Sequence, residues 1–150
     1  MNIYEVSYDI DDQFKRHMAE LFMQQISVTN DETTFNMALH AIDLALKKGS
    51  STKIIVAEED QVIYGLAFLN IGISLRSGGH YLWLNELCVH NEHRNQGIGK
   101  KLLLHIIHYA ESENIKTIEL ETGVNNSVTK HLFNSLGFYD VISKRYGFSS

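Results

Sequence analysis

The sequence predicts a mixed α/β fold with a mostly antiparallel sheet, and three observations lead to this class. Six segments show the alternation or apolar runs of strands, four show apolar residues at helical spacing, and one strand–helix–strand unit follows a three-strand meander. The predicted element order is β-αα-βββ-α-β-α-β. A chain of 150 residues, 44% hydrophobic and 21% charged, has the size and composition of one globular domain, so residues 1–150 are predicted to form a single domain.

The first half is predicted to hold one strand, two helices and a meander. Apolar residues alternate from Tyr4 to Ile10, as in a strand, and recur at helical spacing over residues 14–26. Thr29 and Glu32 match a capping box, which predicts a second helix ending at Gly49. Residues 52–71 indicate two strands around a turn at Asp60, and residues 74–89 another turn and a long strand.

The second half alternates helices and strands. A glycine-containing loop leads into a helix over residues 98–113, followed by a strand over residues 116–122. A helix over residues 126–136 is expected to stop at Gly137, and a final strand over residues 138–146 ("FYDVISKRY") completes the pattern. A strand–helix–strand unit normally has a right-handed crossover, so one parallel strand pair is predicted.

Composition and charge exclude several classes of protein. The formal net charge is −5, which argues against a general nucleic-acid binder. The chain has one cysteine, Cys88, and cannot carry an internal disulfide framework. No apolar run approaches the roughly 18 residues of a membrane helix, and the first residues lack the pattern of a signal peptide. We therefore expect a cytoplasmic protein with no nucleic-acid or membrane partner.

The loop "RNQGIGKKL" carries the chemical signal of the sequence. Glycine costs about 1 kcal/mol against alanine inside a helix, so Gly97 and Gly99 at a first turn indicate a close approach to the backbone. Helix-starting amides lack intrahelical acceptors and carry a partial positive charge, so the amides of residues 96–100 would bind a pyrophosphate. Arg94 and Lys100 would add charged contacts at the rim, with Lys101 or Lys130 nearby.

Three phosphate-binding patterns compete for this loop. A Walker A loop fails twice, because Arg94 replaces its first glycine and Lys101 its hydroxyl residue. A dinucleotide fingerprint lacks its third glycine, where Leu102 stands, although Glu119 and Glu121 lie where a ribose-binding acid belongs. The third pattern, [QR]-x-x-G-x-[GA], is matched in full.

With this third pattern the sequence resembles the GNAT superfamily of acyl-CoA-dependent acetyltransferases. Two stretches carry the resemblance: "ELCVHNEHRNQGIGKKLL", and "LETGVNNSVTKHLFNSLGF", which is similar to the family's "N-x-x-A-x-x-L-Y-x-x-x-G-F" helix. The resemblance covers the whole element order. It implies a GNAT-like sheet with a splayed parallel pair at the cofactor site, and acetyl-CoA as co-substrate.

The resemblance also implies which residues bind the cofactor. Pantetheine would enter between the splayed strands as an added strand, with backbone groups of the strand before the loop pairing with its amides and one N–H facing the thioester carbonyl. The expected binding residues are Leu87, Cys88, Val89, Arg94, Asn95, Gln96, Gly97, Ile98, Gly99, Lys100, Asn126 and Phe133.

Amine attack on a thioester needs a neutral amine, and hence a base. Glu86 is the candidate, because it alternates with Leu84 and Cys88 on an apolar strand that would raise its pKa. A bulge would change the direction in which it faces. Cys88 is expected to be an inert core residue rather than an acetyl carrier. The reserve candidates for the base are His80, His90 and His93. No metal site is predicted, because His90 and His93 lack a third ligand.

The second stretch departs from the family at one important position. Phe133 stands where many relatives carry the tyrosine that protonates the departing thiolate, so the usual general acid is absent. The thiolate would leave unassisted, or Ser127, Tyr139, Tyr146 or water would donate the proton. Relatives usually supply two strands after the glycine equivalent to Gly137, where this chain has thirteen residues.

Three arrangements of this end stay open: a lost strand, a shortened hairpin, or a homodimer in which another subunit completes the sheet.

The sequence leaves three hypotheses for the function. The first hypothesis is an N-acetyltransferase that moves acetyl directly from acetyl-CoA to a small amine or a protein amino group in a ternary complex. A catalytically silent acyl-CoA-binding module and an NAD-type nucleotide-binding domain are the others.

Overall fold

Five strands form one mixed sheet in the computed structural model, which describes residues 1–26, 31–121 and 127–150, the side chains of residues 127–129 excepted. In spatial order the strands are β1 (Asn2–Glu5), β2 (Thr52–Glu59), β3 (Val62–Ser74), β4 (Gly79–Val89) and β5 (Thr117–Leu120). The first four pair antiparallel, and β5 pairs parallel with β4. The predicted fold class, meander and parallel pair are confirmed. The first strand is shorter than predicted, since it ends at Glu5.

Within the described ranges four α-helices flank the sheet: α1 (Asp12–Gln25), α2 (Glu32–Ala45), α3 (Ile98–Ser112) and α4 (Ser127–Ser135). The predicted cap of α2 was wrong: Thr29 lies outside the described residues, and the Asp31 side chain accepts the Thr34 amide at the N-cap. Asp has the short acceptor that an N-cap needs, one residue before the helix. Gly137 follows α4 with a φ of +95°, as a helix-ending glycine does.

The two faces of the sheet bury separate apolar cores. One lies under α1 and α2 and includes Met18, Ile42, Val56, Leu66 and Cys88. The other lies under α3 and α4 and includes Ile55, Leu82, Leu102, Ile106 and Phe133. Within the described parts of the chain, no helix is long and apolar enough to cross a membrane.

The predicted final strand does not form. Residues 138–150 have no regular secondary structure, and from Tyr139 onward every residue is exposed. A strand needs a neighbour for its backbone groups, and β5 presents a short edge of four residues. The apolar and aromatic residues of 138–146 are therefore present in the sequence without forming a strand.

Candidate active site

The loop between β4 and α3 turns through two left-handed residues. Asn95 has a φ of +64° and Gly97 of +81°; Gly97 is the N-cap of α3 and has no side chain to cap it. The first helical hydrogen bond runs from the Lys101 N–H to the Gly97 carbonyl at 3.0 Å, so the amides of residues 98–100 precede it. They have no intrahelical acceptor and lie at the positive end of the α3 dipole. A helix start of this kind favours a bound anion.

The two loop glycines differ in what the fold requires of them. A Cβ at Gly97 would meet nothing within 4 Å, so only the left-handed φ favours glycine there. At Gly99 φ is not left-handed, and a Cβ would lie 3.7 Å from Val89 Cγ2, an ordinary contact. Packing therefore demands neither glycine, and both leave free space beside the unpaired amides.

A third glycine, Gly65 on β3, sets the position of the loop. A Cβ there would lie 2.8 Å from Ile98 Cγ2 and 2.8 Å from Leu102 Cδ1, closer than real Cβ contacts allow. Ile98 and Leu102 are buried. The missing side chain lets the first turn of α3 pack directly on the sheet, which places the loop above the end of β4.

The end of β4 has no neighbouring strand on its β5 side in the described chain. β5 pairs with β4 only from Tyr81 to Leu84, and β4 continues to Val89. The His90 N–H donates to the Tyr64 carbonyl of β3 at 2.8 Å. Because antiparallel bonding alternates, the backbone groups of Cys88 bond to β3, whereas those of Leu87 and Val89 point to the open edge. Of the three strand residues expected to pair with pantetheine, Leu87 and Val89 have the required direction.

Charged and polar side chains surround the loop. Arg94, Asn95, Gln96, Lys100 and Lys101 are exposed. Arg94 Nε donates to the Val89 carbonyl at 3.4 Å, and its Nη2 to Gln25 Oε1 at 3.5 Å. The guanidinium thus joins the end of β4 to the end of α1, three residues before the Gly97 N-cap of α3.

A bulge decides which face Glu86 occupies. Phe68 pairs with Glu86 but Leu69 pairs with Leu84, so Asn85 is an extra residue. The predicted alternation of Glu86 with Leu84 was therefore wrong: Leu84 belongs to the α3–α4 core, and Glu86 lies on the α1–α2 face with Cys88. Partial burial raises the pKa of Glu86, because it disfavours the ionised form.

Cys88 behaves as an apolar core residue. Burial, followed by the nearby negative charge of Glu86, raises the pKa of its thiol to about 12. The nucleophilic thiolate is almost absent at neutral pH. This arrangement disfavours an acetyl-enzyme at Cys88.

The sequence also matches a family profile. The profile of the Acetyltransferase (GNAT) family aligns with residues 14–138, which include most of α1, the meander, the loop and α4. The chain belongs to the GNAT acetyltransferase family. It is an acyltransferase, and the family generally uses acetyl-CoA. A search of curated protein sequences found no match.

Solved structures share the GNAT fold along almost the whole chain. One, described as a probable acetyltransferase, has a TM-score of 0.81 at 20% identity and covers 100% of this chain and 98% of its own. A ribosomal-protein-alanine N-acetyltransferase from Brucella melitensis biovar Abortus 2308 has a TM-score of 0.76 at 17% identity, covering 99% and 100%. An aminoglycoside acetyltransferase from an uncultured soil metagenomic sample has 0.77 at 15%, covering 99% and 96%. At these identities the likeness concerns the fold.

This GNAT chain carries a buried phenylalanine at the position of the common acid. The Phe133 side chain is 8% exposed, packs in the α3–α4 core and lies 5.9 Å from Phe138 between ring centroids. It has no proton to donate. Tyr139 and Tyr146 are 80% and 85% exposed in the segment after α4. The other predicted contacts there, Asn126 and the side chain of Ser127, lie outside what the structure describes.

The histidines have structural partners. His90 Nδ1 accepts the Glu92 amide at 3.2 Å and lies 3.3 Å from His93 Nδ1, and the His93 ring packs edge-on against Tyr64. These contacts stabilise the short turn at residues 91–93. His80 is exposed near the start of β4, opposite Ile73. Across the described residues no group of three metal-ligating side chains is found, and the absence of a metal stays a prediction.

Two site residues were not predicted from the sequence. Gln24 Oε1 accepts the Asn91 amide at 3.1 Å, and Gln25 contacts Arg94, so the end of α1 supports the loop. The two residues of each pair are far apart in the sequence, by 67 positions in the first pair and by 69 in the second. A glutamine at the end of a helix gives no signal of such a distant partner.

Proposed function

We propose that this GNAT chain is an N-acetyltransferase that moves an acetyl group from acetyl-CoA directly to a primary amine in a ternary complex. The observation that carries the proposal is the uncapped start of α3, where three free amides and two side-chain-free residues adjoin the open edge of β4. A diphosphate and a chain of amides are the two parts of coenzyme A that such a surface fits.

Binding would use the loop and the strand together. The amides of residues 96–100 would hold the diphosphate, with Arg94 and Lys100 supplying positive charge. Pantetheine would pair with the outward backbone groups of Leu87 and Val89. Between Val89 and Ala110 three cationic residues outnumber one carboxylate, so this acidic protein carries a locally positive site.

The reaction would need a base and an oxyanion donor. Glu86, with its raised pKa, would take a proton from the ammonium group of the acceptor, directly or through water. The neutral nitrogen attacks the thioester carbon, and a backbone N–H of β4 stabilises the oxyanion, a contact worth about 3 kcal/mol. The C–N bond forms, the bound nitrogen gives its second proton to water, the C–S bond breaks, and the CoA thiolate leaves. Ser127, Tyr139, Tyr146 or water would protonate it.

The acceptor is proposed only as a class, a small amine or a protein amino group. The solved neighbours act on a ribosomal protein alanine and on aminoglycosides, which are both amine acceptors. A homodimer and a cytoplasmic location are parts of the same proposal. The dimer is supported by the exposed apolar side chains after α4, and a cytoplasmic location by the single, buried cysteine.

Two measurements test the function. Calorimetric titration with coenzyme A, with NAD as the control ligand, should give heat for coenzyme A alone. Thiol release from acetyl-CoA should then rise on addition of an amine from a panel, and should fall in Glu86→Gln. If coenzyme A gives no heat with folded protein, the proposal is wrong.

A second function is favoured by one observation, the buried Phe133 in place of an acid. In that case the chain would be an acyl-CoA-binding module without turnover. Binding of acetyl-CoA with no amine-dependent thiol release across the panel would support the module over the enzyme.

A further inference from the structure

Trp83 lies on the same face of the sheet as Glu86, but outside the apolar core of that face. Its neighbours Leu82 and Leu84 are buried in the α3–α4 core, so Trp83 points to the α1–α2 face, because successive side chains of a strand alternate. The described core under α1 and α2 includes Phe68, the partner of Glu86, but not Trp83. A large aromatic ring is thus left partly exposed on this face of the sheet.

A carboxylate lies beside this ring on the neighbouring strand. Trp83 pairs with Glu119 in the parallel register of β4 and β5. Glu119 stands between Ile118 and Leu120, which pack against the α3–α4 core, so its side chain points to the same face as Trp83. Glu119 is exposed, and none of the ion pairs found among the described residues uses it. An aromatic face with an adjacent negative charge attracts a cation.

The chain itself places a cation at this position. The guanidinium carbon of Arg145 lies 5.8 Å from the centroid of the Trp83 ring, within the range of a cation–π contact. The same guanidinium forms an ion pair with Glu121, two positions after Glu119. The Arg145 side chain is 69% exposed and belongs to a segment without regular secondary structure. An exposed ion pair is weak, so a soluble cation can take the place of this guanidinium.

The cation position lies close to the proposed reaction site. The gap in which pantetheine would pair begins after Leu84, the last residue of β4 that pairs with β5. On β3, the partners of Trp83 and Glu86 are two positions apart, which corresponds to about 7 Å along the strand. A short aliphatic chain would therefore connect an acceptor nitrogen at Glu86 to a second cationic group over the Trp83 ring.

We propose that Trp83 and Glu119 bind a second cationic group of the acceptor, so that the acceptor is an aliphatic diamine or polyamine. The part that concerns the acceptor rests on the proposed N-acetyltransferase activity. One nitrogen of the ligand would lie at Glu86 and lose its proton, while the other would stay an ammonium group over the ring and beside Glu119. This ammonium group would displace Arg145. A monoamine of the same length lacks the group that fills the second position.

The emission of Trp83 provides a direct measurement, because Trp83 is the only tryptophan of the chain. In the presence of coenzyme A and at constant ionic strength, 1,5-diaminopentane should change this emission with saturation. Half of the change should need a concentration about tenfold lower than for 1-aminopentane. Glu119→Gln should remove most of that difference. The matched control, Glu113→Gln, neutralises an exposed carboxylate at the end of α3, on the other face of the sheet, and should keep it.

Thiol release from acetyl-CoA gives a second readout. In the wild type kcat/KM should be about tenfold higher for 1,5-diaminopentane than for 1-aminopentane, after correction for the two equivalent nitrogens of the diamine. This ratio should fall in Glu119→Gln and in Trp83→Leu. Arg145→Ala should lower KM for the diamine, because no side chain then competes for the ring; a higher KM would contradict the proposal.

The outcomes separate this proposal from the proposed function. Thiol release with similar kcat/KM for both amines would support an N-acetyltransferase and overturn the subsite for a second cation. A saturable emission change that is selective for the diamine, without thiol release from either amine, would support the subsite and contradict the N-acetyltransferase. Equal emission changes with both amines, no change with either, or a selectivity that Glu119→Gln leaves intact would each overturn the proposal.

Discussion

Gly97 allows the anion-binding role of the loop to be separated from its stability. Its φ of +81° lies in the left-handed region, where a residue with a Cβ costs about 1–2 kcal/mol, and no packing contact adds to this. Gly97→Ala should therefore lose about 1 kcal/mol of unfolding free energy, a fall in Tm of about 2–4 °C. Asn tolerates left-handed φ better, so Gly97→Asn should lose less.

The affinity for coenzyme A should follow a different order. A side chain at residue 97 would project into the space beside the amides of residues 98–100, where the diphosphate is proposed to lie. Loss of one charge-assisted contact of about 2 kcal/mol corresponds to a rise in Kd of about 30-fold. We expect this rise in both variants, and at least as large in Gly97→Asn, whose side chain is bigger.

Calorimetric titration with coenzyme A and thermal melts of the same samples provide the assay. In Gly97→Asn we expect the affinity for coenzyme A to fall while the Tm stays close to that of the wild type. If Gly97→Asn binds coenzyme A as tightly as the wild type, the start of α3 does not hold the diphosphate. If the loss of affinity for coenzyme A in the two variants follows their loss in Tm, backbone strain at residue 97 is the cause, rather than a side chain that blocks the diphosphate.

Three other predictions concern packing, acid–base chemistry and the thiol. Gly65→Ala should lower the unfolding free energy by about 1–3 kcal/mol in a denaturant titration, because its Cβ meets Ile98 and Leu102 at 2.8 Å. The raised pKa of Glu86 favours the protonated form in the folded state, and this stabilisation, present below the unfolded pKa, is lost as pH rises through the folded pKa. Glu86→Gln should therefore raise Tm at neutral pH while lowering kcat and removing the acidic limb of the pH–rate profile; an unchanged profile would reject Glu86 as base. Cys88→Ala should keep kcat within about threefold of wild type in the thiol-release assay, and complete loss of turnover would point to an acetyl-enzyme.

Local signals explain what the sequence could predict. The turn between β2 and β3 is two residues long, and Asp60 and Gln61 both have positive φ, as this hairpin type requires. Gly97 and Gly137 likewise stand at left-handed positions beside helix ends. In each case the deciding interaction involves neighbours in the chain, so residue type and spacing were sufficient.

Long-range pairing explains what the sequence could not predict. The extra residue at Asn85 depends on the register between β3 and β4, and β4 is apolar on both faces, which hides the change of phase. The prediction of a final strand was wrong for a related reason, because the aromatic and β-branched residues within 138–146 indicate β propensity but not the presence of a partner strand. The support of the loop by Gln24 and Gln25 also depends on tertiary contacts.

The single inserted residue at Asn85 has a consequence for the electrostatics of the interior. In an uninterrupted strand the acidic side chain two positions after Leu84 would point beneath α3 and α4, into a mainly apolar core where an ionised carboxylate is costly to bury. The bulge instead turns Glu86 toward the α1–α2 face, where it is only partly buried, and turns Leu87 and Val89 toward the α3–α4 core. The bulge at Asn85 thus leaves the Glu86 carboxyl group accessible to water, so that it can exchange protons. It also keeps Glu86 on the strand that would bind the thioester.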